Sequence, residues 1–445
     1  MQQTASKTRY IPIGLMLFAL FFGAGNLIFP ASMGQNAGAN VWWAVLGFCV
    51  TGVGLPLLAV MAVAHSGSRS LEPIASRVHP WFGVFYTVIC YMAIGPCFAI
   101  PRTGTVAFEI AVSPFLPAGA DASALPIALA VFFAVALWFA VSPSKLVDRI
   151  GKGLTPALVL TLVVFIVQSY ISPMGEMPPA GEAYSTPGKA VIQGILDGYN
   201  TLDAIAALIF ASLVIVAVND NGITEPSKVS GEVFKSGLIA GVLLALIYIF
   251  IAKVGAESVA AIGMKDTGAP ILAESAKIFF GQEGALLLAA MVILACLTTA
   301  IGLISCTASY FHGLTGKFSY RVWAVIFTVV SYLIGLFGLK TIIVSTIPVL
   351  MFLYPLCVAL VLLVFLHKSF GGSRCVYAWT IGLTFIMAAI NGLETAKLSS
   401  PALEAFLKSW VPLHGYGLGW ISFAVAGFVI GMAQKALTGS RAQAS

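Results

Sequence analysis

The chain has 445 residues, of which 59% are hydrophobic and only 9% are charged, whereas about a quarter of the residues in a soluble domain carry a charge. Uncharged runs of about 20 residues recur along the sequence, and a helix needs this length to cross a bilayer. A membrane β-barrel would instead show alternating segments of about 10 residues. The composition therefore excludes a sizeable soluble domain and predicts an all-α integral membrane protein.

Apolar runs separated by turn or charge clusters predict twelve transmembrane helices in a single membrane domain, residues 1–445. An even number of crossings places both termini on one side of the membrane. Most of the 23 Lys and Arg then lie on that side, so the positive-inside rule predicts that both termini are cytoplasmic. The net charge of +6 is interpreted as a topology signal and gives no reason to expect a nucleic-acid partner. The predicted spans cover residues 11–34, 41–64, 80–101, 124–141, 150–172, 189–218, 235–256, 284–312, 320–338, 341–366, 375–392 and 414–434.

The first predicted span contains the segment Gly23-Ala24-Gly25-Asn26, with Pro30 shortly after it. Glycine and proline weaken or remove the i→i−4 hydrogen bonds of a helix, and free backbone groups are tolerated at bilayer depth only where they line a cavity or bind a ligand. We therefore predict that the first helix is discontinuous at this segment. The N–H groups of Ala24, Gly25 and Asn26 could bind a carboxylate, because the second half-helix directs unpaired N–H groups and the positive end of its dipole at the break.

The segment Leu196-Asp-Gly-Tyr-Asn-Thr-Leu-Asp203 interrupts the sixth predicted span. The half-helix that ends at this break has free carbonyl groups. Carbonyl or hydroxyl oxygens of Tyr199, Asn200 and Thr201 could therefore bind an ammonium group. The two breaks together predict a site for both charged ends of an amino acid. Such a site needs no full protein charge at the midplane, where one costs at least about 3 kcal/mol.

The two breaks lie five crossings apart, and an odd number of crossings inverts the second unit relative to the first. This arrangement predicts a five-plus-five inverted repeat with discontinuous helices one and six. Residues 10–172 would form the first repeat, 188–367 the inverted second repeat, and 375–434 two accessory helices. The alternative is that both interrupted segments are kinked packing helices, because small residues also allow helices to pack closely.

Two adjacent threonines, Thr298 and Thr299, lie in the otherwise apolar eighth span. Hydroxyl and carbonyl oxygens are hard ligands that suit a small hard cation. Carbonyls at the end of the first half-helix, near Ala19 and Phe22, could complete such a site. The alternative is that both hydroxyls bond back to the preceding turn of their own helix.

The acidic residues nearest to the middle of a predicted span are Asp197 and Asp203. An ionisable group at that depth is a candidate for the binding site or for a proton carrier. The alternative is a helix cap, in particular for Asp203, which directly precedes an apolar run. Arg102 and Glu109 follow the third span and are expected to form a solvated pair in the outer vestibule.

The sequence contains no GxxxxGK[ST] phosphate loop and no HExxH cluster, and no nucleophile with a matching base is evident. An ATP-driven pump, an ATPase partner and an enzyme are therefore not expected. A channel stays an alternative, because broken helices can also line a filter. The pattern favours a secondary carrier for an amino acid.

At these motifs the chain resembles the branched-chain amino acid:cation symporter family, the BrnQ-like carriers, which belong to the superfamily with the LeuT-type fold. The resemblance runs nearly end to end. Related carriers often have a longer segment with a basic residue where this chain has the uncharged Asn26-Leu-Ile-Phe-Pro30, so an outer gate made by that basic residue is not expected here. The segments that carry the resemblance are 18–30, 95–96, 101–103, 198–203, 295–303 and 348–355.

The resemblance implies alternating access around a midplane site in a bacterial inner membrane. It also implies uptake of leucine, isoleucine and valine driven by a Na⁺ or H⁺ gradient. For Na⁺ it implies carbonyls of Ala19, Phe22 and Ala295 with the hydroxyls of Thr298 and Thr299. For the substrate it implies the segment Gly23, Ala24, Gly25 and Asn26 and the unwound residues Tyr199, Asn200 and Thr201.

Overall fold

A computed structural model describes residues 10–443 apart from 69, 118 and 142–154. Within that part of the chain the regular elements are α-helices with short 3-10 and π turns, and no strand occurs. Nine helical stretches of the described residues are long and apolar enough to cross a membrane. Three shorter apolar helices cover Tyr10–Phe21, Leu162–Ile171 and Tyr320–Gly335. The all-α membrane class is therefore confirmed. The count of twelve crossings stays a prediction, because length and composition alone do not decide which short helices cross.

The first half of the chain folds into short helices, because two of its spans contain a π turn, at residues 50–54 and 93–97. A π turn inserts one residue into the helical ladder and often marks a functional site. The helices are α1 (Tyr10–Phe21), α2 (Ala24–Ala37), α3 (Val41–Cys49), α4 (Leu55–His65), α5 (Leu71–Ala75), α6 (Pro80–Met92), α7 (Ala99–Ala111), α8 (Asp121–Ala140) and α9 (Thr155–Ile171).

The second half contains the longest helices. They are α10 (Pro187–Tyr199), α11 (Asp203–Asp220), α12 (Pro226–Ile262), α13 (Gly268–Thr315), α14 (Tyr320–Gly335), α15 (Leu339–Leu366), α16 (Arg374–Thr395), α17 (Pro401–Trp410) and α18 (Trp420–Gln443).

Helices α12 and α13 extend beyond the predicted spans 235–256 and 284–312. The prediction followed the uncharged runs, whereas a helix continues into the polar region wherever its backbone bonds persist. Helix α13 turns at Gly281, whose φ of 65° and ψ of −147° favour a residue without a Cβ atom. The predicted start of the fifth span, residues 150–154, lies outside the described residues.

Helices α2 and α12 approach so closely that glycine is needed at their contacts. A Cβ atom on Gly34 would lie 2.1 Å from the carbonyl oxygen of Ala252, and one on Gly255 would lie 2.2 Å from that of Ala31. Such backbone-to-backbone packing is typical of membrane helices, where small residues replace the hydrophobic effect as the source of association.

Helices α3 and α10 pack in the same way. A Cβ atom on Gly47 would lie 1.9 Å from the carbonyl oxygen of Val191, and one on Gly194 would lie 2.0 Å from that of Ala44. The two interrupted spans are thus held by different neighbours, because α1 and α2 pack on α12, whereas α10 packs on α3 and α11 packs on α4.

Candidate functional site

The break in the first span is short. Helix α1 ends at Phe21 and α2 begins at Ala24, and Gly23 between them is extended, with φ −129° and ψ −160°. The predicted discontinuity is confirmed, but Gly25, Asn26 and Pro30 lie inside α2. Pro30 removes one N–H donor from the ladder, but α2 continues past it to Ala37.

Asn26 caps its own half-helix and joins it to two others. Its side-chain oxygen Oδ1 accepts a hydrogen bond of 3.0 Å from the N–H group of Gly23. Its Nδ2 group donates to the carboxylate of Asp203 and to the hydroxyl of Tyr248. The backbone N–H groups of Ala24 and Gly25 belong to the first turn of α2, which has no intrahelical acceptors.

The break in the sixth span covers residues 200–202, because α10 ends at Tyr199 and α11 begins at Asp203. Leu202 is left-handed, with φ 70° and ψ 3°, a conformation that costs a bulky residue about 1–3 kcal/mol. The interruption predicted over 196–203 is confirmed in a shorter form. Tyr199 lies outside the space between the breaks, since its ring stacks on Tyr354 at a centroid distance of 4.2 Å.

Arg102 fills the space between the two breaks. Its side chain is 3% exposed, and its guanidinium donates to the carbonyl oxygen of Asn200 at 2.8 Å and to that of Thr201 at 3.1 Å. The guanidinium carbon also lies 5.2 Å from the ring centroid of Phe29. The prediction that Arg102 and Glu109 form a solvated pair is wrong. Helix α7 continues past the predicted end of the span at residue 101 and places Arg102 in the protein interior.

Asp203 is the first residue of α11 and links three helices. Its carboxylate accepts hydrogen bonds from Asn26 on α2 and from the Tyr248 hydroxyl on α12, the latter at 3.0 Å. The side chain is 3% exposed and points across the break. The carboxylate of Asp203 therefore does not act as the helix cap that the alternative expects. The residue at the cap position is Leu202, whose side chain makes no capping bond.

Asp197 lies within α10 and bonds outward. Its carboxylate accepts from the hydroxyl of Tyr184, in the 3-10 turn before α10, and from Nε2 of Gln193 at 3.0 Å. The structure therefore separates Asp197 from Asp203 in their bonding, although they are only six positions apart in the chain.

The two threonines of α13 meet the end of α1. The Thr298 hydroxyl lies 3.1 Å from the carbonyl oxygen of Ala19 and 2.9 Å from that of Ala295. The Thr299 hydroxyl lies 3.2 Å from the carbonyl oxygen of Leu20. Thr298 therefore bonds back within its own helix, as the alternative expects, and also reaches across to α1.

These contacts bring Ala19, Ala295, Thr298 and Thr299 together, as the sequence predicted, and add Leu20. The oxygens are hydroxyls and carbonyls, a donor set that fits a small hard cation. Phe22 lies at the break, with its ring stacked on Phe18 at a centroid distance of 5.4 Å. A signal for Leu20 was present, because adjacent hydroxyls on one helix can reach adjacent carbonyls on another.

The central cavity is the space between the two breaks, and it has a volume of about 20 Å³. That volume holds roughly one water molecule. A ligand larger than water can therefore enter only when the helices around the cavity move apart. Its lining comprises the N-terminal residues of α2, the break at 201–203, Arg102, Thr103 and Thr299, and the apolar side chains of Leu20, Phe21, Ala99, Ala206, Phe210 and Leu303.

Sequence reasoning missed the positions of Arg102 and Tyr248. Arg102 directly follows Pro101 at the predicted end of a span, where a basic residue is ordinarily solvated. Tyr248 lies in an apolar run, where a tyrosine is ordinarily a packing residue. No local pattern distinguishes these two residues from others of their kind.

A family model described as branched-chain amino acid transport protein matches residues 6–438 of this chain. The branched-chain amino acid permease BrnQ of Bacillus subtilis (strain 168) is 42% identical over 431 residues, which cover 97% of this chain and 98% of that protein. The branched-chain amino acid transport system 2 carrier protein of Pseudomonas aeruginosa is 38% identical over 415 residues, which cover 92% of each.

Solved structures of distant sequence share the fold. MHP1, a nucleobase-cation-symport-1 family transporter in a closed conformation, aligns with a TM-score of 0.60 at 14% identity and covers 98% of this chain and 96% of its own. MhsT in complex with L-phenylalanine aligns with a TM-score of 0.53 at 18% identity and covers 98% and 99%. At these identities the likeness shows the fold alone, which is the LeuT-type fold.

The family model matches nearly the whole chain, and the relatives are named permeases and carriers. These matches identify a transporter and not an enzyme. The chain belongs to the branched-chain amino acid transport protein family.

Proposed function

We propose that this chain is a secondary symporter that imports leucine, isoleucine and valine across the bacterial inner membrane, coupled to Na⁺ by alternating access. The observation that carries the proposal is the central cavity, where the N-terminus of one half-helix faces the carbonyls of another beside an apolar wall. The relatives that are named branched-chain amino acid permeases and carriers support the substrate class.

In this proposal the cavity binds both charged ends of an amino acid through backbone groups. The N–H groups of Ala24, Gly25 and Asn26, with Gly23 before them, receive the carboxylate, which the dipole of α2 favours. The carbonyls of Asn200 and Thr201 receive the ammonium group. Tyr199 lies outside the cavity and packs on Tyr354, next to the break. The side chain of the substrate would lie against the apolar residues of α11 and α13.

Such an apolar wall separates ligands only weakly. One methylene group changes binding by about 1–3 kcal/mol. We therefore expect all three branched-chain amino acids to be transported. Charged amino acids are expected to be rejected, because the wall proposed for the substrate side chain consists of apolar residues of α11 and α13, which offer no partner to a third charge.

Na⁺ would bind as a co-substrate among the carbonyls of Ala19, Phe22 and Ala295 and the hydroxyls of Thr298 and Thr299, with the carbonyl of Leu20 as a further oxygen. The proximity of this oxygen cluster to the substrate site supports coupling, since a Cβ atom on Gly23 would lie only 2.6 Å from the Thr299 hydroxyl. One cation that enters with a membrane potential of roughly 100 mV supplies about 2.3 kcal/mol. This energy corresponds to roughly 40-fold accumulation.

Proton coupling is the second candidate, and the position of Asp203 favours it. The carboxylate lines the central cavity and is hydrogen bonded to the neutral groups of Asn26 and Tyr248. Arg102 lines the same cavity, but its guanidinium bonds to the carbonyls of Asn200 and Thr201, so the carboxyl group of Asp203 can exchange a proton without breaking a hydrogen-bonded ion pair. Asp197 is a weaker carrier, because it bonds away from the cavity.

The crossed packing of the two interrupted spans supports the proposed repeats, 10–172 and 188–367, with 375–434 as accessory helices. The first span packs on α12, the second helix of the second repeat, and the sixth packs on α3 and α4, the second span of the first repeat. An inverted repeat predicts this exchange of partners. In this proposal both termini are cytoplasmic.

The deciding experiment measures uptake of labelled leucine into proteoliposomes at fixed pH. One set has an inward Na⁺ gradient, one an inward proton gradient, and one neither. Saturable accumulation with Na⁺ alone is expected. Accumulation driven by protons in Na⁺-free buffer, lost in Asp203→Asn, would assign the coupling to Asp203. No accumulation with either gradient would overturn the leucine assignment, and uptake without saturation or counterflow would indicate a channel.

A further inference from the structure

Arg102 contributes a full positive charge to the central cavity. Its guanidinium bonds to the carbonyls of Asn200 and Thr201, the same two groups that the proposed function assigns to the ammonium group of the substrate. These carbonyls are the free end of α10, where the partial negative charge of the helix dipole favours a cation. One pair of acceptors thus has two candidate cations.

The guanidinium also touches the opposite half-helix. A Cβ atom on Gly25 would lie 2.7 Å from Nη2 of Arg102, so the guanidinium lies directly against the first turn of α2. The positive end of the α2 dipole repels a cation there. The carbonyls of the break in span six therefore hold Arg102 in place, with the face of the Phe29 ring as a further contact.

Two cations cannot share these acceptors at low energy. An ammonium group within hydrogen-bond distance of the same carbonyls would lie only a few ångströms from the guanidinium, and like charges repel strongly where water is excluded. The acceptors accordingly exchange one cation for the other when an amino acid binds.

We infer that Arg102 is an internal substitute for the ammonium group of the substrate: it occupies the Asn200 and Thr201 carbonyls in the unloaded carrier, and an amino acid must displace it to bind. This inference rests on the proposed function. It makes Arg102 a specificity-determining residue, because the carbonyls proposed for the ammonium group are already occupied in the unloaded carrier, whereas Arg102 makes no hydrogen bond to the N–H groups of α2 proposed for the carboxylate.

Two rules for ligands follow. A carboxylate without an ammonium group, such as 4-methylpentanoate, can bind to the N-terminus of α2 while Arg102 keeps the carbonyls. An amine without a carboxylate, such as 3-methylbutylamine, must displace Arg102 and gains nothing at α2. The wild-type protein should therefore accept the acid and reject the amine.

The opposing role would be a direct ion pair between Arg102 and the carboxylate of the substrate. The two roles predict opposite signs for one substitution. If Arg102 competes with the ammonium group, Arg102→Gln should strengthen leucine binding. If Arg102 pairs with the carboxylate, the same change should weaken it.

The test measures equilibrium binding of labelled leucine to the purified full chain, with 4-methylpentanoate and 3-methylbutylamine as competitors. Arg102→Gln is expected to bind leucine about tenfold more tightly, since the charged hydrogen bonds of Arg102 no longer have to be broken. The variant should also reverse the preference for the acid over the amine. The amine should compete with leucine, and the acid should lose at least about tenfold in potency. Arg102→Lys keeps the charge but loses the two-pronged geometry of the guanidinium, so it should still prefer the acid to the amine, by a smaller factor than wild type. The matched control is Arg321→Gln, at an exposed position near the start of α14, which should change nothing.

Weaker leucine binding by a monodisperse Arg102→Gln protein would overturn the inference and leave the proposed function standing. Equal competition by the acid and the amine in the wild-type protein would also overturn it, and this result needs no variant that folds. A wild-type protein that binds no leucine would overturn the proposed function, and the inference with it.

Discussion

The Asn26 side chain on α2 donates a hydrogen bond to the carboxylate of Asp203 on α11, across 177 residues of sequence. Each residue stands in the first turn of a half-helix that begins at a break. The bond therefore ties the two discontinuous spans together at the central cavity, and Tyr248 on α12 completes the group.

Replacement of Asn26 by alanine is expected to impair both folding stability and transport. The change leaves the Gly23 N–H group uncapped and removes a donor from the buried Asp203 carboxylate, at a cost of about 1–3 kcal/mol for each unsatisfied group. Thermal unfolding of the purified protein and leucine uptake measure the two effects. The control is Asn36→Ala on the same helix, where the exposed side chain of Asn36 donates to the Ser32 carbonyl of its own helix. Equal effects of the two substitutions would contradict the role of Asn26.

Replacement of Thr299 by alanine is expected to raise the Na⁺ concentration needed for half-maximal leucine uptake by at least about tenfold, because one oxygen ligand of the cation is lost. The measurement is initial uptake rate against Na⁺ concentration in proteoliposomes. Thr315→Ala, on the same helix, removes a hydroxyl that bonds only to the Phe311 carbonyl and should leave the curve in place. An unchanged curve for Thr299→Ala would refute the proposed Na⁺ site.

A side chain at Gly194 is expected to force α10 away from α3. The Cβ atom of Gly194→Ala would lie 2.0 Å from the Ala44 carbonyl oxygen, and overpacking of this kind costs typically about 1–3 kcal/mol. The variant should melt at a lower temperature than wild type, or fail to yield a monodisperse protein. Gly188→Ala on the same helix meets nothing within 4 Å and should be neutral. A normal melting temperature for Gly194→Ala would show that the two helices lie further apart.

The cluster around His367, at the C-terminal end of α15, predicts a dependence of stability on pH. Partial burial and the nearby Arg77 guanidinium lower the pKa of His367 below its usual 6.5, and its ring nitrogen lies 2.9 Å from the Tyr377 hydroxyl. Because the unfolded chain binds this proton more readily than the folded one, the stability from neutral His367 is present above pH 6.5 and is lost as the pH falls below it.

His367→Gln should therefore reduce the fall in melting temperature between about pH 7 and pH 5. The effect is small, because the ring is only partly buried. The matched control is His312→Gln, at an exposed position on α13. A wild-type melting curve that responds to pH in the same way as His367→Gln would contradict the assignment.

The sequence by itself determined the membrane class and the two breaks. Uncharged runs of helical length allow only helices at bilayer depth, because every backbone group there must be satisfied. Gly23 and the segment around Asn200 stood out against such runs, and so did the adjacent Thr298 and Thr299. These are local properties, and local properties can be read along a chain.

Only the tertiary structure decided which side chains meet at the breaks. Arg102 was expected in water and instead fills the central cavity. Its acceptors are the carbonyls of Asn200 and Thr201, 98 and 99 residues away, and no local sequence pattern indicates them. Asp197 and Asp203 looked alike in the sequence, yet one bonds to Tyr184 and the other to Asn26 and Tyr248. A buried polar group is stabilised by whichever partner the fold brings within hydrogen-bond distance, and that partner is fixed by packing between helices distant in sequence.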